Sequence, residues 1–228
     1  MDLGAILATA SVWVLPVVLA ITFHEAAHGW MAERLGDDTA RRLGRVTLNP
    51  IRHVDPFGTI VLPALLLLLR APFIFGYAKP VPVNFRGLNN PKRDMIWVAL
   101  AGPGMNIVLA LVSAMALRYA VHLPGFAVEW VAANLMNSII INVVLAVFNM
   151  LPIPPLDGGR VLTGLLPMPY AVRFARLERY GFLILLALLF LAPVIGRQLG
   201  FHVNPLAAIL LPPVDFIVTL IVSLAGFG

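Results

Sequence analysis

Uncharged apolar runs of membrane length alternate along the chain with short polar segments rich in arginine, and that alternation predicts the elements. The first run begins after Asp2. Residues 3–21 are enough to span a hydrocarbon core that needs about 20 residues, and the helical pattern continues to Glu33 before Gly36 stops it. Met1-Asp2 offers no basic leader, so this run reads as a retained helix and not a signal peptide. Further long apolar helices are expected at 94–119, 129–151, 180–195 and about 206–224. The run at 59–69 is short and interrupted by Pro63, which suits a re-entrant segment better than a full span. Residues 76–84, Gly-Tyr-Ala-Lys-Pro-Val-Pro-Val-Asn, carry prolines and β-branched side chains that fit an extended edge or hairpin.

The fold class predicted from this pattern is an all-α polytopic membrane protein. It would have about five transmembrane helices, one re-entrant segment and a small β-hairpin or strand. The whole of 1–228 reads as one membrane-embedded domain, with a core at about 1–160 and a C-terminal helix pair at about 178–226. No internal repeat, low-complexity tract or additional soluble domain is visible.

Composition strengthens the membrane assignment. Of 228 residues, 60% are hydrophobic and 12% charged, against about 25% charged in soluble domains, and mean hydropathy is +0.92. The net charge of +5 is confined to short segments between apolar runs, so it reads as a topology signal and no nucleic-acid partner is expected. With 59–69 re-entrant, one side holds Arg34, Arg41, Arg42, Arg45, Arg52, Lys79, Arg86, Lys92, Arg93, Arg160, Arg173, Arg176 and Arg179. The other side holds only Arg118 and Arg197, while Arg70 falls at the re-entrant turn. The richer side is expected to be the cytoplasm. A full crossing at 59–69 would invert every later helix and part Asp157 from the first helix's end.

Candidate chemistry enters with His24-Glu25-Ala26-Ala27-His28. On a helix the two histidines lie one turn apart on one face, where both rings can ligate one zinc ion while Glu25 faces a water. The bare pattern also occurs in proteins without metal. A purely structural helix, however, gains nothing from three such groups in lipid, where ionised side chains cost about 2.5–3.5 kcal/mol on insertion scales. His24 precedes Arg34 by ten residues, about 15 Å at helical rise, which places the motif below the headgroups. The chain has no cysteine, so a metal must be held by histidine and carboxylate. A catalytic zinc needs a third protein ligand. Glu129 and Glu178 lie at or near helix ends, whereas Asp157 follows an apolar helix directly, in a Pro-rich turn before Gly158-Gly159, on the side where His24 and His28 end. Asp157 is the better candidate.

These residues, with Asn49-Pro50 through Asp55-Pro56, the 76–84 segment, Ala101-Gly102-Pro103-Gly104-Met105-Asn106 and Asn149-Met150-Leu151-Pro152 through Asp157-Gly158-Gly159, resemble the site-2 protease family of zinc-dependent intramembrane metalloproteases, peptidase family M50. The resemblance runs from the first helix to about residue 160. It implies one zinc ion per chain on His24, His28 and Asp157, with no further cofactor, and Glu25 as general base. It further implies cleavage of peptide bonds within or near transmembrane segments of other proteins in regulated intramembrane proteolysis, at a multi-pass site in the cell membrane nearer its cytoplasmic side. No helix precedes the HExxH helix, and no PDZ insertion or CBS pair is present, so the chain resembles a minimal form.

Chemistry read from the residues agrees with that implication, since Glu25 is placed to take the proton of a zinc-activated water. A substrate helix must unwind before its carbonyls are exposed to attack, and the segment carrying Tyr77, Lys79 and Asn84 would receive it by β-addition. Asn134, Asn142 and Asn149 are spaced to share a helix face, as interhelical hydrogen-bonding residues do. For Asn149 the resemblance implies substrate-backbone or oxyanion binding. Gly102-Pro103-Gly104 reads as a kink or close-packing patch, with Asn106 a candidate to line the site. His53 and Asp55 fit either a supporting pair or turn chemistry, while His122 and His202 fall in outer loops. The alternative function is a metal transporter using His24, His28 and Asp157 as a transit site, which would need no base at Glu25.

Overall fold

The structure is a computed structural model that describes residues 3–68, 76–198 and 205–227. The helices, in chain order, are α1 (Leu3–Arg34), α2 (Thr39–Arg42), α3 (Leu62–Leu68), α4 (Pro91–Leu117) and α5 (Gly125–Asn149), then α6 (Asp157–Leu165), α7 (Met168–Ala175), α8 (Glu178–Leu186), α9 (Ala192–Gln198) and α10 (Pro205–Val222). Among the described residues four helices are long and apolar enough to cross a membrane: Leu7–Arg34, Pro91–His122, Ala127–Asn149 and Leu206–Phe227. The region expected as a fifth span, 180–195, is helical but divided, with a π-helical stretch at Ala187–Leu191 joining α8 to α9. In an apolar 18-residue window of each span, between 17% and 33% of the residues are buried, which leaves apolar side chains on the outer faces of the helices.

Helix α1 ends where Gly36 adopts φ +108°, with Gly36 N–H on Glu33 O at 3.2 Å and Asp37 N–H on Ala32 O at 2.9 Å. This is a Schellman cap, and a residue with a Cβ would be strained there. The cap turns the chain so that buried Asp37 lies directly beneath the helix end.

Helices α1, α4 and α5 pack against one another, and α6 packs on α4. The α4–α5 contact is lined by Ala110 and Ala114 against Ile139 and Val143, all fully buried, with α10 closing it through Val214 and Ile221. Small side chains on α4 let the helices approach, because in lipid close packing replaces hydrophobic transfer as the driving force.

After α1, α2 and two short turns, the chain makes an excursion that returns to its start. Tyr77 N–H reaches Gly58 O at 3.0 Å, and Thr59 Oγ1 donates to Tyr77 O at 2.9 Å, so both ends of the short apolar run meet. Its far part, with Arg70, lies outside the described residues, as does His202.

The hairpin expected at 76–84 is not formed: no strand occurs among the described residues, and the segment runs unpaired. Its hydrogen bonds go elsewhere. Lys79 N–H donates to His53 O (2.9 Å), Val81 N–H to Glu25 Oε2 (2.7 Å) and Asn84 N–H to Asp37 Oδ2 (2.6 Å). The buried Arg45 guanidinium donates to Lys79 O at 2.6 Å and Pro80 O at 3.3 Å. Pro80 and Pro82 have no N–H, so neither edge is left with a run of groups for a ladder. The segment is a strap held by the side chains of Glu25, Asp37 and Arg45 and by the backbone carbonyl of His53.

Candidate metal centre

His24 and His28 lie one turn apart on α1 and face α4, whose buried positions Val98, Gly102, Asn106 and Ala110 recur every four residues. This stripe meets both imidazoles. His28 Nδ1 lies 2.7 Å from Val98 O, and His24 Nδ1 lies 2.6 Å from Asn106 Oδ1. Between them, a Cβ on Gly102 would sit 2.5 Å from His28 Nε2 and 2.6 Å from His24 Nε2, so only glycine lets the rings and helix come together. Gly102→Ala is expected to reduce zinc affinity at least tenfold and to cost about 1–3 kcal/mol by overpacking. Gly104→Ala, where a Cβ meets nothing within 4 Å, should change neither. Competition against a calibrated chelator and thermal unfolding measure both effects.

Asp157 arrives from the opposite side, in the first turn of α6. The chain after α5 doubles back so tightly that a Cβ on Gly158 would lie 2.2 Å from Met150 O, and this approach drives the carboxylate inward. Asp157 Oδ2 stands 3.2 Å from His24 Nε2 and 3.3 Å from His28 Nε2, while the two Nε2 atoms are 3.0 Å apart. Its other oxygen faces Arg160, 4.0 Å away, which also reaches Glu178 at 3.6 Å. All three residues are at most 7% exposed.

The proton inventory shows what this cluster lacks. Val98 O only accepts, so His28 must carry its proton on Nδ1. His24 faces the oxygen of Asn106 and must do the same. In their neutral forms both Nε2 atoms are therefore lone pairs, and they converge with Asp157 Oδ2, a buried oxygen with no hydrogen-bond partner. Three acceptors at 3.0–3.3 Å match the edges of a tetrahedral site, about 3.3–3.4 Å for ligand bonds of about 2.0–2.1 Å. The donor set, two imidazoles and a carboxylate, fits zinc.

The remaining predicted residues separate. Glu25 is half-buried beside the histidines, and its Oε2 is taken by Val81 N–H, while Oε1 makes no protein hydrogen bond among the described residues. Asn149 is half-buried with Nδ2 on Leu145 O of its own helix at 2.9 Å, and among the described residues no hydrogen bond joins it to His24, His28 or Asp157. Tyr77, Lys79 and Asn84 are exposed and belong to the strap. Asn84 Oδ1 accepts from Arg86 N–H as a local cap, and the strap's contact with the motif is made by Val81, which no sequence signal singled out. His53 and Asp55 serve the turns: His53 Nε2 bonds Thr47 O, and Asp55 Oδ1 caps Gly58 N–H.

The pattern of Peptidase family M50 matches residues 12–128 and 121–192. Over 185 residues the chain is 40% identical to "Putative zinc metalloprotease YwhC" of Bacillus subtilis (strain 168), covering 79% of this chain and 80% of that one. It is 31% identical over 180 residues to "Putative zinc metalloprotease Rip2" of Mycolicibacterium smegmatis, covering 79% and 66%, and 32% identical over 193 residues to the Rip2 protein of Mycobacterium tuberculosis (strain ATCC 25618 / H37Rv), covering 83% and 71%. No solved structure matches.

Proposed function

Because the chain belongs to Peptidase family M50, we propose that it is a zinc endopeptidase that hydrolyses peptide bonds within or near transmembrane segments of other membrane proteins, in regulated intramembrane proteolysis. The observation that carries this reading is the convergence of His24 Nε2, His28 Nε2 and the unpartnered Asp157 Oδ2 on one point, next to a carboxylate with a vacant oxygen. His24, His28 and Asp157 are the metal ligands. Zinc held by them supplies Lewis acidity, lowering the pKa of water towards about 7 and polarising a peptide carbonyl. Glu25 receives the proton on Oε1 and delivers it to the leaving amine.

The active centre lies in the cell membrane nearer the cytoplasmic side, and the run at 59–69 is re-entrant, a reading supported by the hydrogen bonds that join Gly58 and Thr59 to Tyr77. The substrate, unwound locally, pairs with the strap. Within 79–84 only Val83 N–H is uncommitted among the described residues, so pairing is centred there, with exposed Tyr77, Lys79 and Asn84 flanking it.

Asn149 has a second amide hydrogen beyond the one on Leu145 O, and it is this group that meets the substrate carbonyl or oxyanion. Asn149→Ala is then expected to lower the cleavage rate by about 10²–10³-fold with zinc stoichiometry unchanged. Zinc loss in that variant would count against the role.

The decisive test reconstitutes the zinc-loaded protein in vesicles with a single-span substrate and follows cleavage and zinc flux together. Cleavage stopped by a chelator and restored by zinc is expected. Zinc movement across the vesicle without cleavage would assign the three ligands to transport instead.

A further inference from the structure

Behind His24 a file of buried polar groups crosses three helices. Asn106 on α4 accepts from His24 Nδ1–H at 2.6 Å, and its Nδ2 donates both to Ala20 O of α1 (3.2 Å) and to Asn142 Oδ1 of α5 (2.8 Å). Asn142 Nδ2 in turn donates to Ser138 O at 2.9 Å and reaches Ser138 Oγ at 3.3 Å, and Ser138 Oγ lies 2.8 Å from Ser113 Oγ on α4. Asn106 is 0% exposed and Asn142 1%, so bulk water does not reach these two amides.

The file has a direction. Ser138 O can only accept, which requires the NH₂ of Asn142 to point at it and the oxygen of Asn142 to point at Asn106. Ala20 O and that oxygen then both demand the NH₂ of Asn106, leaving its oxygen for His24. An amide facing the other way would set oxygen against oxygen at both places, in a low-dielectric interior where an unmatched polar group is costly.

We infer that Asn142, acting through Asn106, is a positioning residue that fixes the proton of His24 on Nδ1 and so keeps the Nε2 lone pair aimed at the metal. The inference rests on the zinc reading of the centre for its consequence, but not for its geometry. Partners of this kind set tautomer and ring orientation in metal sites, and their loss costs about 10–100-fold in metal affinity.

The test is carried out on the full-length protein in detergent or nanodiscs. Zinc dissociation constants from chelator competition should weaken about 10–100-fold in Asn106→Leu and about tenfold in Asn142→Leu. The double variant should be no weaker than Asn106→Leu alone, because Asn142 has no independent route to the metal. Asn142→Asp, neutral at this depth, keeps an acceptor towards Asn106 and a donor towards Ser138 O, and should restore affinity to within a few-fold.

A second measurement does not involve zinc. In zinc-free protein with ¹⁵N-labelled histidine, the His24 signal being assigned by its loss in His24→Gln, Nδ1 should carry its proton in wild type and in Asn142→Asp. It should lose that single preference in Asn142→Leu. Unchanged zinc affinity and an unchanged Nδ1 signal in Asn142→Leu would overturn the inference, as would full additivity in the double variant. A wild type that binds no zinc yet shows the expected Nδ1 signals would sink the zinc reading and leave the relay standing.

Discussion

Glu25→Gln is expected to bind zinc with wild-type stoichiometry while cleaving a transmembrane substrate about 10²–10⁴-fold more slowly, the range that general acid–base catalysis contributes. The substitution suits this site because it separates the tether of the strap from the proton transfer proposed for the carboxylate. Oε2 of Glu25 holds the strap through Val81 N–H, and a glutamine oxygen accepts that same bond. What glutamine cannot do is receive a proton on its other arm. Glu25→Ala, by contrast, removes both, freeing the strap at its midpoint as well as the base. Comparison of the two on one substrate therefore separates proton transfer from strap position. Cleavage by Glu25→Gln at more than a tenth of the wild-type rate would show that Glu25 is a tether alone. The same variant retains a bound substrate long enough for capture by pull-down, which identifies what the enzyme cuts.

Much of this centre is local information and is legible in the chain. The four-residue spacing of His24 and His28 needs only a helix to become a pair of ligands, and Gly36 ends that helix because it tolerates the φ of +108° its cap requires. Asp157 is legible as a candidate because it follows an apolar helix directly and sits in a Pro-rich turn before Gly158-Gly159. Other features depend on which helix faces meet, and no short-range signal encodes that. Gly102-Pro103-Gly104 read alone leaves a kink and a close-packing patch both open, and the stripe Val98, Gly102, Asn106 decides for close packing only when α1 lies against it. The asparagine series divides in a similar way. Asn134, Asn142 and Asn149 each donate to the carbonyl four residues earlier on their own helix, and of the three Asn142 alone bridges to a neighbouring helix. Asn137, outside the series, ties α5 to Val12 O of α1. The strap shows the opposite error: its extended backbone is legible from proline and valine, but its partners are Glu25, Asp37 and Arg45, side chains distant in sequence that take the place of a second strand.

Asp157→Asn is expected to abolish the stabilisation that zinc confers while leaving the zinc-free protein more stable than its wild-type counterpart. Three acceptors crowd within 3.0–3.3 Å, and one of them, Asp157 Oδ2, is buried without a hydrogen-bond partner. An unmatched buried group of this kind costs about 1–3 kcal/mol, and more when it is charged. An asparagine NH₂ at the same place donates to the histidine lone pairs and relieves the crowding, so the apo variant should gain about 1–3 kcal/mol. Zinc at a hundredfold excess over its dissociation constant should add about 2.7 kcal/mol to the wild type by linkage and nothing measurable to the variant. Thermal unfolding with and without zinc, in the presence and absence of chelator, reads all four states. An Asp157→Asn protein that still shifts with zinc, or that is weaker than wild type when both are metal-free, would mean that the cluster is satisfied by its own hydrogen bonds and is not organised for a cation. The expected pattern is that of a site kept at the expense of the apo fold: the same crowding that destabilises the empty protein is what gives zinc its hold.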